Sequence, residues 1–252
     1  MSAAAGHRAP GESLPAPLRL VSVRSRSNPV VNPNPMRFTF LLCLLAAAHA
    51  FPRPTPDVHA VAQAVDEHYN QLRTLQAEFT ETYRGAGMER TESGTLWLKK
   101  PGKMRWEYRS PKDKLFLSDG RDAWFYLPVE KQARRTPVRK LEDLRSPLGF
   151  LLGKTRLEKE LHSLAFAPDV APMNPDNLVL RGVPRAMADR VSQVLLEISP
   201  DHQISRIQVD ELDGSTTEYR FTEQKENVSL RDDRFRFIPP PGVETIEGEP
   251  GQ

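Results

Sequence analysis

Apolar residues recur at three- and four-residue spacing from Val58 to Leu75: Val58, Val61, Ala62, Val65, Tyr69 and Leu72. That period puts one apolar stripe along a helix, and Asp57 stands where it can cap the first turn. After Leu75 the period falls to two. Gln76–Tyr83 alternates in part. Ser93–Lys99 puts Leu96 and Leu98 on one face, with Thr95, Trp97 and Lys99 on the other. Lys103–Tyr108 puts Met104, Trp106 and Tyr108 on one face. Asp113–Ser118 and Ala123–Leu127 follow. Gly85 with Gly87, Pro101-Gly102, Ser110-Pro111 and Asp119-Gly120 supply the turns between them. Short strands joined by tight turns predict an antiparallel meander, because a parallel pair needs a long crossover.

Residues 128–177 break this rhythm. Lys131, Arg134, Arg135, Arg139 and Lys140 make a basic stretch that reads as a solvated loop. Ser146-Pro147 suits the start of a short helix, and Leu148, Phe150, Leu151 and Leu152 make it apolar between Gly149 and Gly153. Leu157–Leu164 fits a helix or a strand. Pro168–Pro175 reads as a loop. Strands are expected again at Leu178–Leu180, Val191–Ile198, Ile204–Glu211, Thr216–Thr222 and Phe235–Ile238, followed by a frayed acidic tail from Glu244. The expected class is mainly β with an α lid: a curved antiparallel sheet, covered by short helices.

Composition adds an address. Residues 1–35 are rich in Ala, Pro, Ser and Arg without periodicity and read as a disordered upstream extension, with Met36 as the true start. Residues 36–50 carry Arg37, the apolar run Phe38–Ala48 and the small residues Ala48 and Ala50. This is the pattern of a signal peptide cleaved after Ala50. Residues 51–252 are then one exported domain. The single cysteine, Cys43, lies in the leader, so a mature chain has no disulfide or thiolate chemistry. The net charge is +2, but the first fifty residues hold +4 of it and leave about −2 for the rest. That balance gives no electrostatic reason to expect nucleic acid as a partner.

The search for catalytic chemistry finds no constellation. His59 and His68 are nine residues apart, so they do not share a metal-binding helix face, and His162 and His202 are isolated. Asp210, Glu211 and Asp213 beside Gly214 read as a solvated hairpin. The expectation is a binding protein with no metal and no cofactor. Its anomaly is the apolar stripe Leu96–Leu98, which ends in Lys100. Lys100 can snorkel to water or donate to an element covering the sheet.

These residues carry a resemblance. Gly94–Pro101, Arg105–Tyr108, Ser118-Asp119-Gly120, Trp124-Phe125-Tyr126, Gln132, Asp213-Gly214, Phe235–Phe237 and Pro240–Val243 resemble, in order and spacing, the outer-membrane lipoprotein carrier family, LolA. Leu75–Thr80 is similar to that family's start, and the likeness spans residues 57–246. It implies a half-open β-barrel closed by a lid of helices. It implies a monomeric periplasmic carrier that takes acylated lipoproteins from an inner-membrane ABC transporter to an outer-membrane acceptor. The implied lipid cavity is Leu96, Leu98, Met104, Trp106, Leu115, Leu117, Trp124 and Tyr126. The implied lid is Leu148, Phe150, Leu151 and Leu152. Lys100 falls on the lid-latching position, where the family has arginine, and lysine lacks the guanidinium fork. Two other readings use the same fold: a carrier of another lipid or glycolipid, and a lipoprotein-sensing envelope-stress regulator. A secreted hydrolase would need a reactive cluster that the sequence lacks.

Overall fold

Among the described residues, apolar alternation organises twelve strands into one open, curved sheet. The computed structural model describes residues 57–138, 151 and 156–248, all within the compact unit Arg53–Gln252. The upstream extension, the signal peptide, the basic residues Arg139 and Lys140, and the lid residues Leu148, Phe150 and Leu152 lie outside the described residues.

A first helix, α1 (Val58–Gln71), leads into β1 (Thr74–Gly85), β2 (Met88–Lys99), β3 (Lys103–Ser110), β4 (Lys114–Asp119), β5 (Asp122–Leu127) and β6 (Gln132–Pro137). A one-turn helix, α2 (Leu157–Glu160), leads into β7 (Leu161–Phe166), β8 (Leu178–Pro184), β9 (Val191–Ile198), β10 (Ile204–Glu211), β11 (Thr216–Glu226) and β12 (Glu244–Glu247). The sheet order is β12-β6-β5-β4-β3-β2-β1-β11-β10-β9-β8-β7. Both termini of the meander therefore wrap back, and β1 pairs with β11 at the centre. The described sheet is open between its edge strands β12 and β7.

Four local expectations are corrected. The helix stops at Gln71, not Leu75. Leu72 turns extended, Arg73 N–H donates to Asn227 Oδ1 at 2.9 Å, and Leu75 pairs with Leu98 in the sheet. Leu75 satisfies the helical and the strand period alike, and the sheet offers it a buried place. The stretch 131–140 is not all loop. Gln132–Pro137 is strand β6, with Ala133 and Thr136 buried, and Arg135 meets Asp122 at 2.7 Å. Phe235–Ile238 is not a strand. Asp232–Phe235 forms a 3-10 turn, and the residues after it cross the sheet instead of joining it. The acidic tail is not frayed throughout: Glu244–Glu247 pairs with β6, in the sheet's one parallel pairing among the described strands. Leu157–Leu164 resolves into both alternatives, α2 and then β7.

In an antiparallel sheet, directly paired residues share a face. The register therefore sorts the side chains without ambiguity. On the inner face, Leu75, Leu98 and Met104 lie side by side, as do Ala77, Leu96 and Trp106. The α1 stripe Ala62, Val65, Tyr69 and Leu72 packs into the same buried cluster. Each fully buried aliphatic there contributes about 1.5–3 kcal/mol.

The outer face is closed in two places. On the β2–β6 side, the segment after β11 straps across it. Asp232 pairs with Lys99 at 2.8 Å and Lys103 at 3.0 Å, and Arg234 stacks on Trp97 at 4.5 Å. Phe237 packs on Trp124 and Tyr126 at 5.0 and 5.4 Å. On the β9–β11 side, the Pro-rich loop is held by a buried ion network. Glu197 meets Arg206 at 3.0 Å and accepts from Met173 N–H at 2.9 Å and Asn177 Nδ2 at 2.8 Å. Arg206 reaches on to Glu218 at 3.5 Å.

Candidate functional site

The inner face is lined by apolar side chains, and the chain's own elements cover it. Leu96 and Leu98 come from β2, Met104 and Trp106 from β3, and all four are buried in the cluster that includes α1. Leu151 is buried in that cluster as well. The sequence-derived set thus meets in part.

Four of its members lie elsewhere. Leu115 pairs with Glu107, and Leu117 with Arg105, the outer-face residues of β3. Trp124 and Tyr126 pair in turn with Leu117 and Leu115. All four therefore point to the outer face, beneath the strap. The reason is the turn between β3 and β4, which sets Phe116 rather than its neighbours opposite Trp106. An apolar residue at alternate positions in β4 is needed on both faces, so composition alone does not reveal which face is which.

Lys100 sits just past β2. Its Nζ donates to the Tyr69 carbonyl and, at 3.2 Å, to the Asn70 carbonyl. These carbonyls belong to the last turn of α1, where unpaired oxygens and the helix dipole favour a cation. Burial against this turn lowers the Lys100 pKa. The lysine thus clasps α1. A cavity of only about 10 Å³ lies between Leu72, Leu75, Leu98, Lys100 and Leu151, about the least that one water needs.

Polar contacts at four further points tie α1 down. The Tyr69 hydroxyl accepts from Ile204 N–H at 2.9 Å, and its buried position pushes its pKa up. Asp66 accepts from Leu157 N–H at 3.0 Å, capping α2, and burial raises its pKa above the usual carboxylate value. His68 Nε2 meets Glu226 at 2.8 Å, and His59 Nδ1 pairs with Glu158. The two histidines are thus tethers between elements. Among the described residues no cluster of three or more His, Cys, Asp or Glu could hold a metal ion. Two open clefts of about 490 and 590 Å³ flank the strap. Their walls include Arg105, Glu107, Asp233 and Arg234, and Gln71, Arg73 and Asn227, too polar for alkyl chains.

A family model described as outer membrane lipoprotein carrier protein LolA matches residues 70–238, from the end of α1 through the strap. The chain belongs to the LolA family. The outer-membrane lipoprotein carrier protein of Dechloromonas aromatica is 30% identical over 194 residues, covering 74% of this chain and 89% of that protein. Its counterpart in Chromobacterium violaceum is 27% identical over 207 residues, covering 82% and 97%. A solved LolA superfamily protein from Nitrosomonas europaea aligns at 14% identity and a TM-score of 0.41, covering 73% of this chain and 99% of that one.

This LolA-family chain also has polar inner-face residues that the sequence pattern did not single out. Glu81 and Glu92 pair across β1 and β2. The Tyr108 hydroxyl donates to Glu81 at 2.7 Å, Lys114 Nζ donates to Glu92 at 2.6 Å, and Tyr219 stands beside Glu81 on β11. Burial first, and then Glu81, push the Tyr108 hydroxyl well above its ordinary pKa. The signal was present in the alternation of β1: Leu75, Ala77, Phe79 and then Glu81 fall on one face.

Proposed function

We propose that this chain is a non-enzymatic periplasmic carrier that shields the acyl chains of lipoproteins against the inner face of its sheet. It takes them from an inner-membrane ABC transporter to an outer-membrane acceptor, working as a monomer. Export by the leader delivers it to that compartment. The observation that carries the reading is the α1-covered face of Leu96, Leu98, Met104 and Trp106, fastened at its edge by Lys100. An apolar face is the chemistry an alkyl chain needs, since burial is worth about 0.8 kcal/mol per CH₂. A face already filled by α1 requires the cover to move when cargo enters. The fastenings of α1 suit that demand, because polar clasps exchange readily with water while the apolar stripe finds a substitute in the cargo. Release then needs only a modest affinity difference between carrier and acceptor.

The test is competition. The full chain should bind an apolar fluorophore, and a triacylated lipopeptide should displace it. A fluorophore that stays bound at saturating lipopeptide contradicts the lipoprotein reading. Displacement by a glycolipid alone favours the other lipid-carrier reading.

A further inference from the structure

The inner face changes character along its strands, over the levels that lead to the β1–β2 hairpin. Phe79, Trp106 and Phe221 gather on neighbouring strands, with Trp106 in ring contact with Phe79 at 4.6 Å and Phe221 at 6.3 Å. By register Trp106 lies level with Ala77 and Leu96; Phe79, Phe221 and Tyr108 share the next level toward the β1–β2 hairpin, and Glu81, Glu92 and Tyr219 the one after. In the other direction β1, β2 and β3 present Leu75, Leu98 and Met104 as far as Lys100, with Ser118 beside Met104 and Glu226 opposite Leu75. On β1, β2 and β3 the face is therefore aliphatic toward Lys100 and polar toward the hairpin.

Trp106 stands one level from Tyr108 and two from Glu81, 2% exposed, and its Nε1–H has no hydrogen-bond partner among the described residues. A buried donor without an acceptor carries a full desolvation penalty. The surrounding aromatic faces are only weak acceptors. Beyond it, Glu92 is neutralised by Lys114 at 2.6 Å and Arg90 at 3.3 Å. Among the described residues Glu81 accepts a hydrogen bond from the Tyr108 hydroxyl alone. Donor and acceptor capacity thus remains open at this end. At the opposite end Lys100 is already engaged by the α1 carbonyls.

We propose that Trp106 donates its indole N–H to an acyl ester or amide carbonyl of the cargo. The alkyl chains then lie toward Lys100 and α1, and the glyceryl head lies among Tyr108, Glu81 and Tyr219. This assignment rests on the carrier reading and gives the cargo a direction. An indole donor recognises the linkage rather than the chain, so it separates acylated molecules from plain hydrocarbon.

The test pairs two ligands on the full chain: a dipalmitoylglyceryl-cysteinyl peptide and the hydrocarbon diphenylhexatriene. Trp106→Phe keeps a ring in place and removes the N–H. The lipopeptide should bind about five- to tenfold more weakly, and the hydrocarbon within about twofold of the parent. Equal losses for both, or no loss for the lipopeptide, overturn the proposal. In the unmodified chain the Trp106 indole proton should move downfield in NMR spectra with lipopeptide and not with hexadecane. An unmoved proton in the lipopeptide complex overturns it without a variant. Dipalmitoylphosphatidylglycerol distinguishes sources: a loss shared with it assigns the donor to acylglycerols at large, and a loss confined to the lipopeptide assigns it to the lipoprotein N-terminus. If the parent binds hydrocarbon but no lipopeptide, the lipoprotein reading falls first.

Discussion

The ammonium of Lys100, one residue beyond β2, donates to the backbone carbonyl of Tyr69 in the last turn of α1. A single flexible side chain thus joins the edge of the sheet to the element covering it. Replacing Lys100 with Met keeps the stem and removes the donor. Fold stability should fall by only about 1 kcal/mol. Exchange of a bound apolar fluorophore should change severalfold, measured by stopped-flow fluorescence. Lys100→Arg should restore the parent rate. Global unfolding of the Met variant would mean that the lysine is a structural residue.

The outer-face strap is separable from the inner face. Phe237→Ala removes the ring packed on Trp124 and Tyr126, and should cost roughly 2–4 kcal/mol in a chemical melt. Fluorophore affinity should stay within about twofold. A selective loss of affinity at unchanged stability would return Trp124 and Tyr126 to the binding surface.

Glu197 is fully buried and takes four contacts at once. Glu197→Ala takes from Arg206 its 3.0 Å partner, leaving the longer contact to Glu218, and frees the loop amides. The expected cost is about 3–5 kcal/mol, read by urea denaturation. A cost below about 1 kcal/mol would mean the network is wet and weakly coupled.

Gly94 lies where β2 bulges against β3. A Cβ there would stand 1.8 Å from the Glu107 carbonyl oxygen, a backbone atom that cannot step aside. Gly94→Ala should therefore part these strands and abolish soluble expression. Parent-like melting of the variant would refute this register.

His59 reports on the α1–α2 contact. Its hydrogen bond to Glu158, and then the charge of Glu158, raise its pKa above 6.5. A raised histidine pKa means the contact is fully present below pH 6.5 and is lost as pH rises through the folded value. NMR titration should place the His59 midpoint above 6.5, and Glu158→Gln should bring it back toward the ordinary value. A midpoint unmoved by that substitution would show that the pair is not formed in solution.

Much of the sheet was legible in the sequence because alternation and turn residues agree locally. Val191–Ile198 and Ile204–Glu211 match β9 and β10 residue for residue. What escaped notice depends on partners distant in sequence. Gln132–Pro137 is charged enough to read as loop; it hairpins with β5, and the distant β12 closes its other edge. Phe235 and Phe237 have strand composition, yet the outer face of β2–β5 gives their rings a place that no ladder would. The same distant strap explains the face error at Leu115, Leu117, Trp124 and Tyr126. An apolar outer face betrays its cover only once the register is known. Leu96, Leu98, Met104 and Trp106 were legible because their alternation places them on the face that α1 covers.

Which face meets the cargo decides the carrier reading. A photo-cross-linking residue placed at Leu96 or Met104, in cells making acylated lipoproteins, should yield covalent adducts with those lipoproteins. The same residue at Leu117 or Trp124 should yield none. Adducts from the outer positions and none from the inner ones would contradict the account.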